Sequence, residues 1–240
     1  MFQNLDDSIF PLIFEISEYM PYGYEFSDEE NRDQIIFSSP KVLIKEYFTN
    51  PKIEDFQCWY NQVLDKNNIY NDWLLNSTSL SDLKHINQYM NTYTSSEYYE
   101  KYGSEKLIEE LKNNSHFLPK DQILYRGGSS LELPENWNIG SSINWSVPRS
   151  TTLNIETAKI HAYTDCIDRN NVDLANLEST PVLMVLRTLN SSVKGYVFHY
   201  EEQSTKHVEK EVLLCPNIKL TKTAEEFYDK VKVIYADISE

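Results

Sequence analysis

Over residues 1–114, apolar positions recur near the spacing of a helix face. Ile9 and Phe10 with Leu12, Ile13, Phe14 and Ile16 form one such group, and Val42, Leu43, Ile44, Tyr47 and Phe48 form another. Ser39-Pro40 opens the second group with a cap residue and a first-turn proline. Further helices are predicted over 53–64, 80–93 and 95–111, the last with Tyr98, Tyr99, Tyr102, Leu107, Ile108 and Leu111 along one side. Asn, Asp, Gly and Pro punctuate the joins.

The character changes around Asn113-Asn114-Ser115. β-Branched and aromatic residues bounded by turn residues predict strands over 123–126, 182–189, 195–200, 208–214 and 231–238. One helix interrupts them, with Asn154 placed to cap it and Ile155, Ala158, Ala162 and Tyr163 on one flank. The expected architecture is α+β: a helical N-terminal lobe over 1–114, then a strand-rich core over 115–240.

Composition narrows the function classes. With 240 residues, 40% hydrophobic and 25% charged, the chain can bury a sizeable core. The longest apolar run, Val182 through Leu186, is far too short to span a bilayer, so no membrane partner is expected. The N-terminus lacks the basic start and apolar stretch of a secretory signal, which predicts a protein made in the cytosol. Secretion, or injection into a host cell as an effector by a signal-free route, stays open. A net charge of −15 argues against a nucleic-acid partner and fits a basic or arginine-presenting one. Cys58, Cys166 and Cys215 are odd in number and far apart, which predicts buried thiols in place of a disulfide framework. His161, His199 and His207 share no spacing that would place them on one metal, and no metal is expected.

Three short motifs carry candidate chemistry. In Leu124-Tyr125-Arg126-Gly127-Gly128 an arginine ends a predicted strand before two glycines. Guanidinium is shaped for bidentate phosphate contacts, and glycine lets backbone approach a ligand, although a surface arginine before an ordinary turn has the same appearance. In Arg149-Ser150-Thr151-Thr152 hydroxyls cluster just ahead of the predicted helix. They can orient a carboxylate or simply open the helix. Arg149 itself fits a phosphate contact or a structural ion pair equally well. In Glu209-Lys210-Glu211-Val212-Leu213-Leu214 a strand would set the two carboxylates on one face, roughly 6.5 Å apart. A solvated edge strand is the alternative, but Lys210 would then point into the core.

Taken in order and spacing, a strand arginine, Ser-Thr-Thr before a helix, then Glu-x-Glu-Val-Leu-Leu resembles the arginine–serine–glutamate ADP-ribosyltransferases. That family includes clostridial-type binary toxins, phage enzymes and vertebrate ecto-transferases. The resemblance covers about 121–240, and Thr152 departs from the usual third serine while keeping the hydroxyl. It implies a two-sheet core and a mono-ADP-ribosyltransferase that uses NAD as co-substrate and a target protein's arginine as acceptor. Arg126 would grip the diphosphate or adjoining ribose, with Gly127, Thr151 and Thr152 beside the dinucleotide. Ser150 would hydrogen-bond Glu211, and Glu211 would meet the nicotinamide ribose. Glu209 would receive the incoming guanidinium, and the 195–207 segment would recognise the target. Tyr196, Phe198 and Tyr200 in that segment could stack on a ligand or pack in the core. Two other readings fit the same residues: an NAD glycohydrolase, with water as acceptor, and a non-catalytic binding protein on the same fold.

Overall fold

The computed structural model describes residues 2–15, 34–50, 56–78, 80–92, 95–167, 177–198 and 209–240. The first helix, α1 (Asp6–Ile9), is a single turn, and the chain then enters a strand, β1 (Leu12–Glu15), paired antiparallel with β2 (Gln34–Phe37). This corrects the helix expected through Ile9–Phe14. Pro11 disfavours helical backbone at Phe10, which is extended, and beyond it Leu12 and Phe14 are buried while Ile13 faces out. That is the two-residue period of a strand. The part of the expectation that includes Ile16 lies outside the described residues.

Helix α2 (Pro40–Thr49) begins as predicted, with the Ser39 hydroxyl accepting from the Val42 amide at 3.4 Å. Helix α3 (Phe56–Lys66) is followed by α4 (Asn68–Leu75), which Asn67 caps by accepting from Tyr70 N at 2.9 Å. A 3₁₀ turn (Leu80–Asp82) leads to α5 (Lys84–Met90). The single helix expected over 95–111 is two, α6 (Ser95–Tyr102) and α7 (Glu105–Asn114), because Gly103 adopts φ +72° between them. Helix α7 ends where the sequence changes character.

Strands β3 (His116–Phe117), β4 (Ile123–Ser129), β5 (Ser142–Trp145) and β6 (Arg149–Thr152) precede α8 (Ile155–Thr164). Then come β7 (Pro181–Thr188), β8 (Lys194–Val197), β9 (Glu211–Leu214), β10 (Ile218–Tyr228) and β11 (Val231–Ser239). Hydrogen bonds order nine strands as β3-β8-β9-β6-β4-β7-β11-β10-β5, antiparallel except for β7 with β11. The four-strand and five-strand halves meet between β6 and β4 at a single pair, Thr152 opposite Tyr125. The expected α+β architecture is present, with the nine strands in one hydrogen-bonded sheet where two were expected, its two halves joined through that one pair.

The helical half does not stand apart from the sheet. One buried cluster includes Phe14, Phe37, Trp59, Tyr60 and Trp73 together with Leu124, Leu186, Val212 and Val233. A second joins Leu83, Ile86, Tyr89 and Leu107 to Tyr196, Phe198 and Leu213. Strand β9 thus lies between two apolar layers and is buried at all four positions. This explains why Val-Leu-Leu does not alternate with polar residues. Tyr196 and Phe198 are core residues, while Tyr200 lies outside the described residues. Cys166 and Cys215 are buried as expected, but Cys58 is exposed, on the outer side of α3.

Candidate active site

Arg126 lies in the middle of β4. Its Nη1 donates to the Ser150 carbonyl at 2.9 Å and its Nη2 to Glu132 Oε2 at 2.9 Å. The guanidinium also lies over the Trp145 ring, 5.9 Å from the centroid. The two glycines that follow have separate packing roles. A Cβ on Gly127 would come within 1.8 Å of the Ala158 carbonyl, so this position lets α8 lie against β4. A Cβ on Gly128 would meet the Glu132 carboxylate at 2.9 Å, so this one leaves room for the partner of Arg126.

The Ser-Thr-Thr run, expected just ahead of a helix, forms strand β6, and α8 starts three residues later. Thr151 Oγ1 donates to the Val212 carbonyl at 2.7 Å, and Thr152 Oγ1 to the Glu209 carbonyl at 2.5 Å. Thr152 Oγ1 also accepts from Asn154 N at 2.9 Å, while Asn154 Oδ1 caps α8 by accepting from Glu156 N at 2.9 Å. Both threonine hydroxyls are therefore committed to backbone. Ser150 takes part in none of these bonds through its hydroxyl.

Glu209 and Glu211 are not successive same-face positions of one strand. Glu209 and Lys210 form a turn, Lys210 has φ +54°, and β9 begins only at Glu211. The left-handed residue is held from both ends: its carbonyl accepts from Leu153 N at 3.0 Å, and its buried ammonium pairs with Asp65 at the end of α3. Lys210 thus points inward, as the alternation required, but into the helical half. Val208 lies outside the described residues. The Glu211 side of the turn is buried, at 2% exposure, and its register partner is Thr152. The Glu209 side chain is 29% exposed and lies 3.9 Å from His161 Nε2.

Despite that change of geometry, Arg126, Ser150, Glu209 and Glu211 all line one cleft of about 190 Å³, and Gly127, Thr151 and Thr152 line it too. A larger depression of about 750 Å³ between α5 and α6 is lined by polar residues such as Asn87, Gln88 and Lys101. It brings together none of the three motifs, so the smaller cleft is the candidate site.

The cleft is polarised. At one end Arg126 and Arg149 both approach Glu132 Oε2, at 2.9 and 3.9 Å, and both lie over Trp145. Burial, then repulsion from Arg126, lowers the pKa of Arg149. The two carboxylates lie across β6 from Arg126, and Tyr89 from α5 lines the same cleft. Burial, then the Glu211 charge, raises the Tyr89 phenol well above its ordinary value. Burial also pushes Tyr99 up to about 12, against the pull of Arg149, and its hydroxyl donates to the Pro148 carbonyl at 3.1 Å. Sequence reasoning missed Glu132, Trp145 and Tyr89, and treated His161 as an ordinary polar residue. Only His161 had a local signal, one helical turn beyond Thr157 and Ala158 on the same helix.

No protein-family model matches the sequence, and no curated protein matches it. Solved structures do. The chain is similar to the ADP-ribosyltransferase Vis of Vibrio splendidus in complex with the M6 inhibitor, at 18% identity and a TM-score of 0.52, over 81% of this chain and 90% of that one. The chain has an ADP-ribosyltransferase fold. The agmatine complex of Vis gives 20% identity and a TM-score of 0.49 over 81% and 90% of the two chains. The Clostridium limosum C3 exoenzyme gives 16% identity and 0.48 over 74% and 95%. In the ADP-ribosyltransferase fold seen here, the three motifs occupy adjacent strands β9, β6 and β4, and Glu211, Thr152 and Tyr125 form one cross-strand row.

Proposed function

We propose that the chain is a mono-ADP-ribosyltransferase that cleaves NAD at the nicotinamide–ribose bond and transfers ADP-ribose to an arginine of a target protein. The observation that carries this reading is the convergence of Arg126, Ser150, Glu209 and Glu211 on one cleft. The fold of an ADP-ribosyltransferase is its independent support.

The polarity of the cleft matches the charges of NAD. Arg126 would take the diphosphate, since guanidinium pairs well with phosphate oxygens. The nicotinamide ribose would then lie towards Glu211, with the remainder of the dinucleotide running out of a cleft this size. Breaking the C–N bond releases neutral nicotinamide and leaves positive charge on the ribose. A buried, fixed carboxylate stabilises that charge without reorganising. Ser150 stands diagonally across the β6–β9 ladder from Glu211, within reach of a side-chain contact that would orient it.

Glu209 is the more exposed of the two acids and lies nearest the outside. It would receive the target guanidinium, whose pKa above about 12 makes it a poor nucleophile unless a base takes the proton as the new C–N bond forms. Thr151 and Thr152, with hydroxyls already committed, would border the dinucleotide and shape the site without donating to it. Incubation with labelled NAD and a cell lysate tests the reading. Label in a protein band, located on arginine by mass spectrometry, supports it. Free ADP-ribose alone makes the protein a glycohydrolase, and no nicotinamide release makes it non-catalytic.

A further inference from the structure

We propose that Glu132 is a built-in counter-anion that caps the Arg126–Arg149 pair and gives way to a diphosphate, so that both arginines form the anion site. The inference rests on the proposed function only for the identity of the molecule that carries the diphosphate.

One carboxylate serves two guanidinium groups here, and serves them unequally. Glu132 Oε2 is 2.9 Å from Arg126 but 3.9 Å from Arg149, beyond hydrogen-bond range. Among the described residues, Arg149 Nε is shielded from solvent and has no acceptor. A buried donor left unpaired is costly, so the site is short of acceptor oxygens. Both cations lie over the Trp145 ring, at 5.9 and 5.8 Å from its centroid, a contact that does not involve the carboxylate. A diphosphate has enough oxygens and charge for both forks, which a carboxylate lacks.

Glu132 is also placed to leave. It ends the 3₁₀ turn Ser130–Glu132, whose backbone is anchored independently of the carboxylate. Ser130 N donates to the Thr180 carbonyl at 2.9 Å, Thr180 N to Ser130 Oγ at 3.2 Å, and Leu131 N to Ser129 Oγ at 3.1 Å. A change of side-chain rotamer would therefore free the arginines without moving the turn. The absence of a side chain at Gly128 is what admits the carboxylate to this position.

Calorimetric titration with inorganic pyrophosphate and with ADP-ribose at low salt tests the proposal. Glu132→Gln should bind both about 3- to 10-fold more tightly than the parent, the scale of removing one partly exposed competing charge. Gly128→Ala, which crowds the carboxylate without deleting it, should shift binding the same way, and Arg149→Met should weaken it. Glu135→Gln, at an exposed acid three residues on, should change nothing. Weaker or unchanged binding in Glu132→Gln overturns the proposal, because the carboxylate would then be holding Arg126 in place. An equal gain in Glu135→Gln overturns it too, by reducing the effect to net charge. Should Glu132→Gln fail to fold, Gly128→Ala decides alone, tighter binding supporting the proposal and any other result overturning it. Pyrophosphate binding requires no NAD cleavage, so the two readings fail separately. A chain that releases no nicotinamide can still show the Glu132 effect, and an active transferase can lack it.

Discussion

Thr152 and Glu211 face each other across the β6–β9 ladder, and the Thr152 hydroxyl reaches past that pair to the carbonyl of Glu209. The same oxygen accepts from Asn154 N at the head of α8. One side chain therefore ties the strand of the serine motif, the turn of the acidic motif and the helix cap together. Replacing it with valine keeps the shape and removes both hydrogen bonds at a buried position. Thr152→Val should lose about 1–3 kcal/mol of stability in urea unfolding, and Thr152→Ser most of that loss should not show. An unchanged midpoint for Thr152→Val would mean that the hydroxyl holds nothing.

The two carboxylates differ in burial, and the proposed roles predict that their removal will differ too. Glu211→Gln takes away the enclosed charge beside the ribose and should lower both transfer and NAD hydrolysis by about 10²–10³-fold. Glu209→Gln should lower transfer by about 10–100-fold while hydrolysis stays within about threefold. Separate assays of nicotinamide release and protein labelling make the comparison. Equal losses of both activities in the two variants would show that the roles are misassigned.

Adjacent glycines should respond very differently to alanine. At Gly127 the new Cβ would collide with helix backbone, the Ala158 carbonyl at 1.8 Å and Ala162 N at 2.5 Å, neither of which can yield without moving α8. Overpacking of this severity should cost about 3 kcal/mol or more, visible as a lower Tm or loss of the folded chain. At Gly128 the nearest atom is the end of the Glu132 side chain, so Gly128→Ala should fold with a Tm close to the parent's.

These packing roles explain what could be read from the sequence and what could not. Helix α8 was legible because its cap, Asn154, and its buried positions Ile155, Ala158 and Ala162 are local signals. The longest strand, β10, was not. Its inward series Ile218, Leu220, Lys222 includes a buried lysine, satisfied by the Trp137 carbonyl and Glu225, so Ile-Lys-Leu-Thr-Lys reads as polar. The motif residues were recognisable one by one, yet the turn at Lys210 carries no glycine or asparagine to announce it. What holds it comes from far along the chain: Asp65, 145 positions away, together with Thr152 of β6 and Leu153 just past its end. Tyr89 and Trp145 reach the site through tertiary packing that no spacing encodes.

The Lys210–Asp65 pair yields an asymmetric prediction. Lys210 is almost wholly buried, its ammonium 5.1 Å from the Tyr70 ring centroid, whereas the Asp65 side chain is 53% exposed. Asp65→Ala would leave a buried cation with little beyond an aromatic face, at a cost of about 1–3 kcal/mol. Lys210→Met removes the charge along with its need for a partner and should cost less. Both should loosen the Glu209–Lys210 turn and lower turnover. A greater stability loss in Lys210→Met than in Asp65→Ala would show that the pair is strongly net-stabilising, against this ordering.

Asp6 offers a test through pH. Its Oδ2 accepts from the Ile123 amide at 2.7 Å where β4 begins, three residues before Arg126. Burial, against that hydrogen bond and with added repulsion from Asp7, pushes its carboxyl up to about 7. Unfolded, the same group loses its proton near 4. Between those values the folded chain binds more protons than the unfolded one, so this group makes stability fall as pH rises from about 4 to about 7 and contributes no further change above. Asp6→Asn keeps an acceptor for Ile123 N and cannot ionise. The variant should match the parent below pH 4 and become the more stable by about 1–2 kcal/mol above pH 7, a figure discounted for the partial exposure of Asp6. Urea denaturation of both proteins from pH 4 to 8 reads that difference directly. A stability gap that stays constant across the range would mean that Asp6 ionises at an ordinary pH, and that the head of β4 is wetter than its packing indicates.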